Sequence, residues 1–243
     1  MTQKVALVTG AGRANGLGMA TAQALAELGF HIIVTSRSDA QSEEQAQSLR
    51  EAGFSAEGYR LDLGDPTEFA RVAERIRVDH GHLDALINNA SVFPDMGVDS
   101  ALDVSIEHVK AAFDVDVIGP WLLTVALRGV LEAAPAARVV NLSSGAYQQI
   151  ASLPQNPGDV GAPAYSFAKH TLNYLTQILA AAFRDTKVLV NSVDPGRADT
   201  HPELGTDEED VPPSVAAAWI AQAATLPEGG ASGVVFADGE IVG

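Results

Sequence analysis

The chain contains no cysteine, which excludes disulfides, thiolate metal sites and a thiol nucleophile. Positive charge is scarce as well: 15 Lys and Arg stand against 31 Asp and Glu, a formal net charge of −16. A surface of that sign repels phosphate backbones and anionic headgroups, so nucleic acid and acidic membranes are disfavoured as partners. No apolar run reaches the roughly 18 residues of a membrane-spanning helix. The first apolar run, KVALVTG at 4–10, is too short for a secretory signal and passes straight into glycines. These absences are read as a soluble, cytoplasmic protein.

What the chain does have is a large apolar share, 47% of 243 residues, enough to build a substantial core. Short runs rich in Val and Ile at 5–9, 31–35, 85–90, 137–144, 187–193 and 233–238 read as strands, with a weaker one at 55–61. They are almost continuously apolar, as strands covered on both faces should be. Helical patterns at 17–28, 40–52, 66–79, 101–115, 119–134, 163–183 and 212–225 lie between them. Strand–helix alternation predicts a single-domain α/β fold over 1–243, a Rossmann-type, doubly wound parallel sheet with helices on both faces. Irregular stretches at about 145–163 and 197–213 follow late strands, where such folds carry substrate loops.

The first βα turn reads TGAGRANGLG (9–18). A strand, a glycine-rich turn and a helix start put backbone N–H groups and the positive helix end at one point, which suits a pyrophosphate. Gly10 suits the tight turn, and Gly16 and Gly18 allow close approach. At the end of the second strand, where an NAD site wants a carboxylate for the ribose hydroxyls, the chain has Ser36 and Arg37. A guanidinium there pairs with a 2′-phosphate, and Arg13 supplies a second positive charge. NADP(H) is therefore expected over NAD(H).

Downstream, YSFAK (165–169) places Tyr165 and Lys169 four apart, on one face of a helix. A free phenol has a pKa of about 10, and a neighbouring ammonium favours its ionised form. Before them, the strand ARVVNLSS ends in Ser143 and Ser144, hydroxyls able to hold a developing oxyanion. His31, His80 and His82 are read as structural, His201 as a lining residue of the later loop, and the acidic run TDEED (206–210) as solvated; no metal site is expected.

With these motifs in this order, the chain resembles the short-chain dehydrogenase/reductase family over essentially its whole length. TGAGRANGLG stands for the cofactor loop, with Asn15 and Leu17 among its contacts; LDL (61–63) for the segment whose Asp62 and Leu63 meet the adenine; NNAS (88–91) for the family's NNAG; DPGRADT (194–200) for its P-G-x-x-x-T. The resemblance implies that Tyr165 exchanges the substrate proton, that Lys169 binds the nicotinamide ribose and favours the phenolate, and that Ser144 orients the substrate. Asn89, Ala90 and Ser91 would line the adenosine side; Pro195, Gly196 and Thr200 would lie beside the nicotinamide. It also implies a seven-stranded sheet in the order 3-2-1-4-5-6-7 and a homodimer or homotetramer.

Three departures stand out. Asp116, in DVDVIG (114–119), replaces the family's catalytic Asn; a carboxylate cannot donate a hydrogen bond, and its charge works against a phenolate. It is read either as a member of the catalytic set or as a cap of a kinked helix. The interval from Ser144 to Tyr165 is lengthened, which suggests a flap. Gly10 and Gly16 enclose five residues rather than three, similar to divergent enoyl-ACP reductases, but the Tyr–Lys spacing of four and the Ser favour chemistry on a ketone, aldehyde or secondary alcohol. The small-molecule substrate is expected to be apolar or aromatic, from VFPDM (92–96) and Tyr147. The competing expectation is a non-catalytic NADP-binding regulatory or redox-sensor protein on the same fold.

Overall fold

A computed structural model of the chain describes residues 3–156, 158–199 and 210–242. Its strands are β1 (Val5–Val8), β2 (His31–Ser36), β3 (Ala56–Arg60), β4 (Ala85–Asn88), β5 (Arg138–Leu142), β6 (Leu189–Asp194), β7 (Val235–Ala237) and β8 (Glu240–Ile241). They form one sheet in the order β3-β2-β1-β4-β5-β6-β7-β8. All pairings are parallel except β7–β8. The helices are α1 (Leu17–Glu27), α2 (Asp39–Glu51), α3 (Phe69–Asp79), α4 (Ile106–Phe113), α5 (Gly119–Ala133), α6 (Tyr147–Ser152), α7 (Pro163–Ala182) and α8 (Pro213–Ala224).

Alternation along β1 explains the sandwich of layers. Val5 and Leu7 point to one face, where α3, α5 and α7 pack; Ala6 and Val8 point to the other, against α1, α2 and α8. Successive strand residues face opposite sides, so a strand that is apolar at every position demands a helix layer on both. The strand order reverses between β1 and its neighbours β2 and β4. At such a reversal the loops leaving the strand ends diverge and open a crevice.

Four elements differ from expectation. The sheet has eight strands rather than seven, because β7 turns back at Asp238 and Gly239, both with positive φ (51° and 79°). That two-residue Asp-Gly turn is itself a hairpin signal. Helix α4 starts at Ile106 rather than 101, where Ser105 and His108 form a reciprocal capping box. The stretch from Asp114 to Ile118 is a π turn, with Gly119 N–H bonding to the Asp114 carbonyl; α4 and α5 thus run on through a kink. The expected flap carries a short helix, α6. Among the described residues, no helix is long and apolar enough to cross a membrane.

Candidate active site

The crevice at the ends of β1, β2, β4 and β5 has a volume of about 590 Å³. Its floor is the β1–α1 turn. Gly10 adopts φ +68°, and a Cβ there would come within 2.6 Å of the Ala90 Cα. At Gly18 a Cβ would lie 2.7 Å from Asn89 Nδ2 and 2.9 Å from the Ala11 Cα. The NNAS segment braces this turn: Asn89 Nδ2 donates to the Thr9 carbonyl (2.7 Å), and Ala90 N–H donates to Thr9 Oγ1 (2.9 Å). Gly16 caps α1 without a side-chain acceptor, which leaves the helix's first N–H groups to a ligand. Gly10→Ala combines a left-handed backbone with steric overlap and is expected to destabilise the fold by about 2–4 kcal/mol. Urea unfolding would measure it; an unchanged midpoint would mean that the turn relaxes freely.

Of the residues singled out in the sequence, Gly10, Arg13, Gly16, Leu17, Gly18, Ser36, Arg37, Asp62, Leu63, Asn89, Ala90, Ser91, Tyr165, Lys169 and Pro195 all line this one crevice. Asn15 does not; it faces a separate cavity of about 520 Å³ between α1 and α2, because the lengthened loop turns it away. Ser143 lines the crevice and Ser144 does not; the Ser144 hydroxyl accepts from Ala146 N–H at 3.3 Å, while the buried Ser143 hydroxyl has no partner. Gly196 lies just outside the lining, its N–H held by Asp194 Oδ1 at 3.0 Å. Thr200, His201 and 206–209 of the acidic run lie outside the described residues.

Lys169 is fully buried within α7. Its Nζ donates to the Leu142 carbonyl (2.8 Å) and meets Asp116 Oδ1 at 2.9 Å. The π turn is what delivers Asp116 there; its other oxygen accepts from Val92 N–H at 3.4 Å. Asp116 is therefore the counter-ion of Lys169 and not a helix cap. Burial pulls the Lys169 ammonium down, but Asp116, followed by Tyr165, outweighs it and holds the group above the ordinary lysine range. Nearby, burial pushes the Asp194 carboxyl up.

Two neighbours of Tyr165 come from VFPDM, which the sequence places at the substrate but not against this tyrosine. Phe93 stacks on its ring (centroids 4.4 Å, 27° between planes). Asp95, itself buried, accepts from the Ala164 N–H (2.6 Å) and the Tyr165 N–H (3.3 Å). It thereby caps α7 from a loop some seventy residues upstream, at the point where Ala162 enters with φ 45°. Lys169 Nζ lies 5.5 Å from the Tyr165 ring centroid. The arrangement presents one phenol, one buried ammonium with its counter-ion, and a glycine cradle for phosphate, in a single cleft.

Comparison with known proteins agrees with that geometry. A family model described as short chain dehydrogenase matches residues 4–209. The chain is 34% identical over 212 residues to the uncharacterized oxidoreductase YohF of Escherichia coli, covering 86% of this chain and 78% of that protein. It is 32% identical over 200 residues to cis-4-hydroxycyclohexanecarboxylate dehydrogenase of Sinomonas cyclohexanicum, covering 82% and 74%. Among solved structures, a metagenomic short-chain oxidoreductase in complex with NADP superposes with a TM-score of 0.77 at 29% identity, covering 95% of this chain and 94% of that one. A short chain dehydrogenase from Burkholderia cenocepacia, also with NADP, gives 0.81 at 26% identity, covering 98% and 97%. Sheet order, glycine turn and the Tyr165–Lys169 pair on α7 thus meet in a chain that belongs to the short-chain dehydrogenase/reductase family of oxidoreductases.

Proposed function

We propose that the protein is an NADP(H)-dependent oxidoreductase that interconverts a ketone or aldehyde with an alcohol. The observation that carries this reading is the convergence of Tyr165 and Lys169 with the glycine cradle in one crevice. The residues present fit a dinucleotide: Gly10 and Gly18 let the turn pack directly on Ala90, Asn89 and Ala11, where a Cβ would overlap, and the N-terminus of α1 behind that turn has no side-chain cap. When bound, the cofactor supplies or accepts the hydride.

The chain's own residues do the rest. Tyr165 gives its proton to the carbonyl oxygen in reduction and takes it back in oxidation, as a general acid and base. Lys169 steadies the phenolate and holds the nicotinamide ribose. Ser144, or the crevice-lining Ser143, orients the substrate oxygen. Phe93 forms an apolar wall against Tyr165, in keeping with an apolar or aromatic substrate, and 145–163 and 197–213 are expected to supply the rest of its pocket. Ser91 and Asp62 would face the adenosine, and Pro195, Gly196 and Thr200 the nicotinamide.

Preference for NADP(H) over NAD(H) rests on Arg37, exposed at the rim of the crevice beside Ser36 and Arg13. A charge-assisted contact to a 2′-phosphate is worth about 1.5–3 kcal/mol. Arg37→Asp should therefore lower the ratio of kcat/KM for NADPH over NADH by about 10- to 100-fold; an unchanged ratio would sink the 2′-phosphate role. Exposed Trp121, Leu122, Val125, Phe167, Tyr174 and Ile178 on α5 and α7 support a homo-oligomer, and the cysteine-free composition a cytoplasmic setting.

A second reading, an NADP-binding sensor without turnover, draws on one observation: Asp116 sits on Lys169 and offsets the charge that would assist Tyr165. NADPH oxidation across a panel of ketones and aldehydes separates the two. Turnover that depends on Tyr165 supports the enzyme; NADPH binding with no turnover of any carbonyl supports the sensor.

A further inference from the structure

Three side chains that play no part in the crevice come together at the opposite edge of the sheet. His31 is the first residue of β2 and Ser36 its last, so this edge lies roughly 16 Å from the cofactor side. Glu57 stands on β3, opposite Ile33, and His80 follows the last residue of α3. His31 Nε2 is 3.1 Å and His80 Nε2 2.6 Å from the same oxygen, Glu57 Oε1. Among the described residues this is the one group of His and carboxylate side chains whose ligand atoms all lie within 4.8 Å of one another.

We propose that His31, Glu57 and His80 form a binding site for a borderline transition-metal cation of the Zn²⁺ class, which staples β2, β3 and α3 together. Two imidazole nitrogens and one carboxylate oxygen suit Zn²⁺, Ni²⁺ or Cu²⁺, whereas Ca²⁺ and Mg²⁺ call for oxygen alone. Tetrahedral coordination at Zn²⁺ spaces ligand atoms by about 3.3 Å. The His31–Glu57 separation is already close to that, and His80 has only to back away slightly from Glu57. The ion would take the place of the two protons that Nε2 of each ring now points at Oε1. All three side chains are partly exposed, between 16 and 24%, so water can enter and complete the coordination.

The surroundings hold the ligands in the required state. Ser55 Oγ lies 2.7 Å from His31 Nδ1 and orients that ring with Nε2 toward Glu57, the role second partners play at metal-bound histidines. Arg75 Nη2 takes the other carboxylate oxygen, Glu57 Oε2, at 3.3 Å and leaves Oε1 to the histidines. The charge of Arg75 is in turn matched by Asp79, 3.5 Å from its Nε, so with neutral histidines the cluster keeps a net negative charge for a cation.

The test is calorimetric titration of ZnCl₂ into the full chain, untagged and freed of metal by chelation. One equivalent is expected to bind with micromolar affinity or tighter, and to raise the thermal midpoint. Glu57→Gln and His80→Gln should each weaken binding by at least about tenfold, whereas His82→Gln, two residues away, should leave it unchanged. Co²⁺ offers a readout independent of stability: intense visible absorption from a tetrahedral site in the wild type, absent in His80→Gln. The proposal is overturned if no Zn²⁺ binds in the micromolar range, or if both variants bind as tightly as the wild type. Neither outcome bears on the NADP(H) reading, since no crevice residue is touched.

Discussion

Tyr165→Phe is expected to lower kcat/KM for carbonyl reduction by about 10²–10⁴-fold while leaving NADPH binding nearly intact. The change removes one oxygen and keeps the ring, so the stack on Phe93 and the backbone hydrogen bond from the Tyr165 N–H to Asp95 both survive. What disappears is the proton at the reacting oxygen. Among the described residues no other phenol or imidazole lines the crevice, and the lysine beside it is already committed to Leu142 and Asp116. Steady-state kinetics with fluorescence titration of NADPH would separate the two effects. A variant with unchanged turnover would mean that the proton comes from elsewhere and would remove the basis of the proposed reaction.

The second large effect concerns the buried pair. Asp116→Ala leaves the Lys169 ammonium fully buried with the Leu142 carbonyl as its remaining hydrogen-bond acceptor among the described residues, and losing one partner of such a pair costs about 3–5 kcal/mol. The wild-type pair has a definite pH window. Lys169 is held above its ordinary value of 10.5, so its stabilisation is complete below that pH and is lost only as pH climbs through the raised value. Chemical denaturation at neutral pH should thus show the whole difference between wild type and Asp116→Ala. Asp116→Asn is milder, because an amide oxygen still accepts from Lys169, and it is informative for catalysis. With the negative charge gone, the ammonium acts undiluted on Tyr165. The rise of alcohol oxidation with pH should then move to lower pH. A profile that stays in place would show that Asp116 has no electrostatic hold on the reaction, and one that moves upward would show a hold of the opposite sign.

Much of the crevice could be read from the chain because its parts are local. A glycine turn needs neighbours in sequence, and Tyr165 and Lys169 share a helix face because they are four residues apart. Pairings between distant segments could not be read that way. Asp95 caps the helix that carries Tyr165, yet nothing in VFPDM marks it as a cap, since its helix begins at Pro163. Asp116 was recognised as a departure, but whether it faced helix backbone or Lys169 depended on the π turn, a shift of one residue in hydrogen bonding. The final hairpin is different: Asp238-Gly239 carried a local turn signal that the apolar pattern around it masked.

The sequence by itself therefore determined the layered α/β architecture, the place of the glycine turn and the shared helix face of Tyr165 and Lys169. Each of these follows from periodicity or spacing within one or two consecutive elements. Only the tertiary structure decided what each charge faces: Asp116 against Lys169, Phe93 against Tyr165, and His31, Glu57 and His80 against one another. Along the chain the histidines read as structural, His31 at the start of a strand and His80 in a polar turn, and only the parallel pairing of β2 with β3 and the return of α3 bring them within reach of one carboxylate oxygen. Ionic and coordinating contacts depend on distances of a few ångströms between segments, and those distances are set by packing, not by order along the chain.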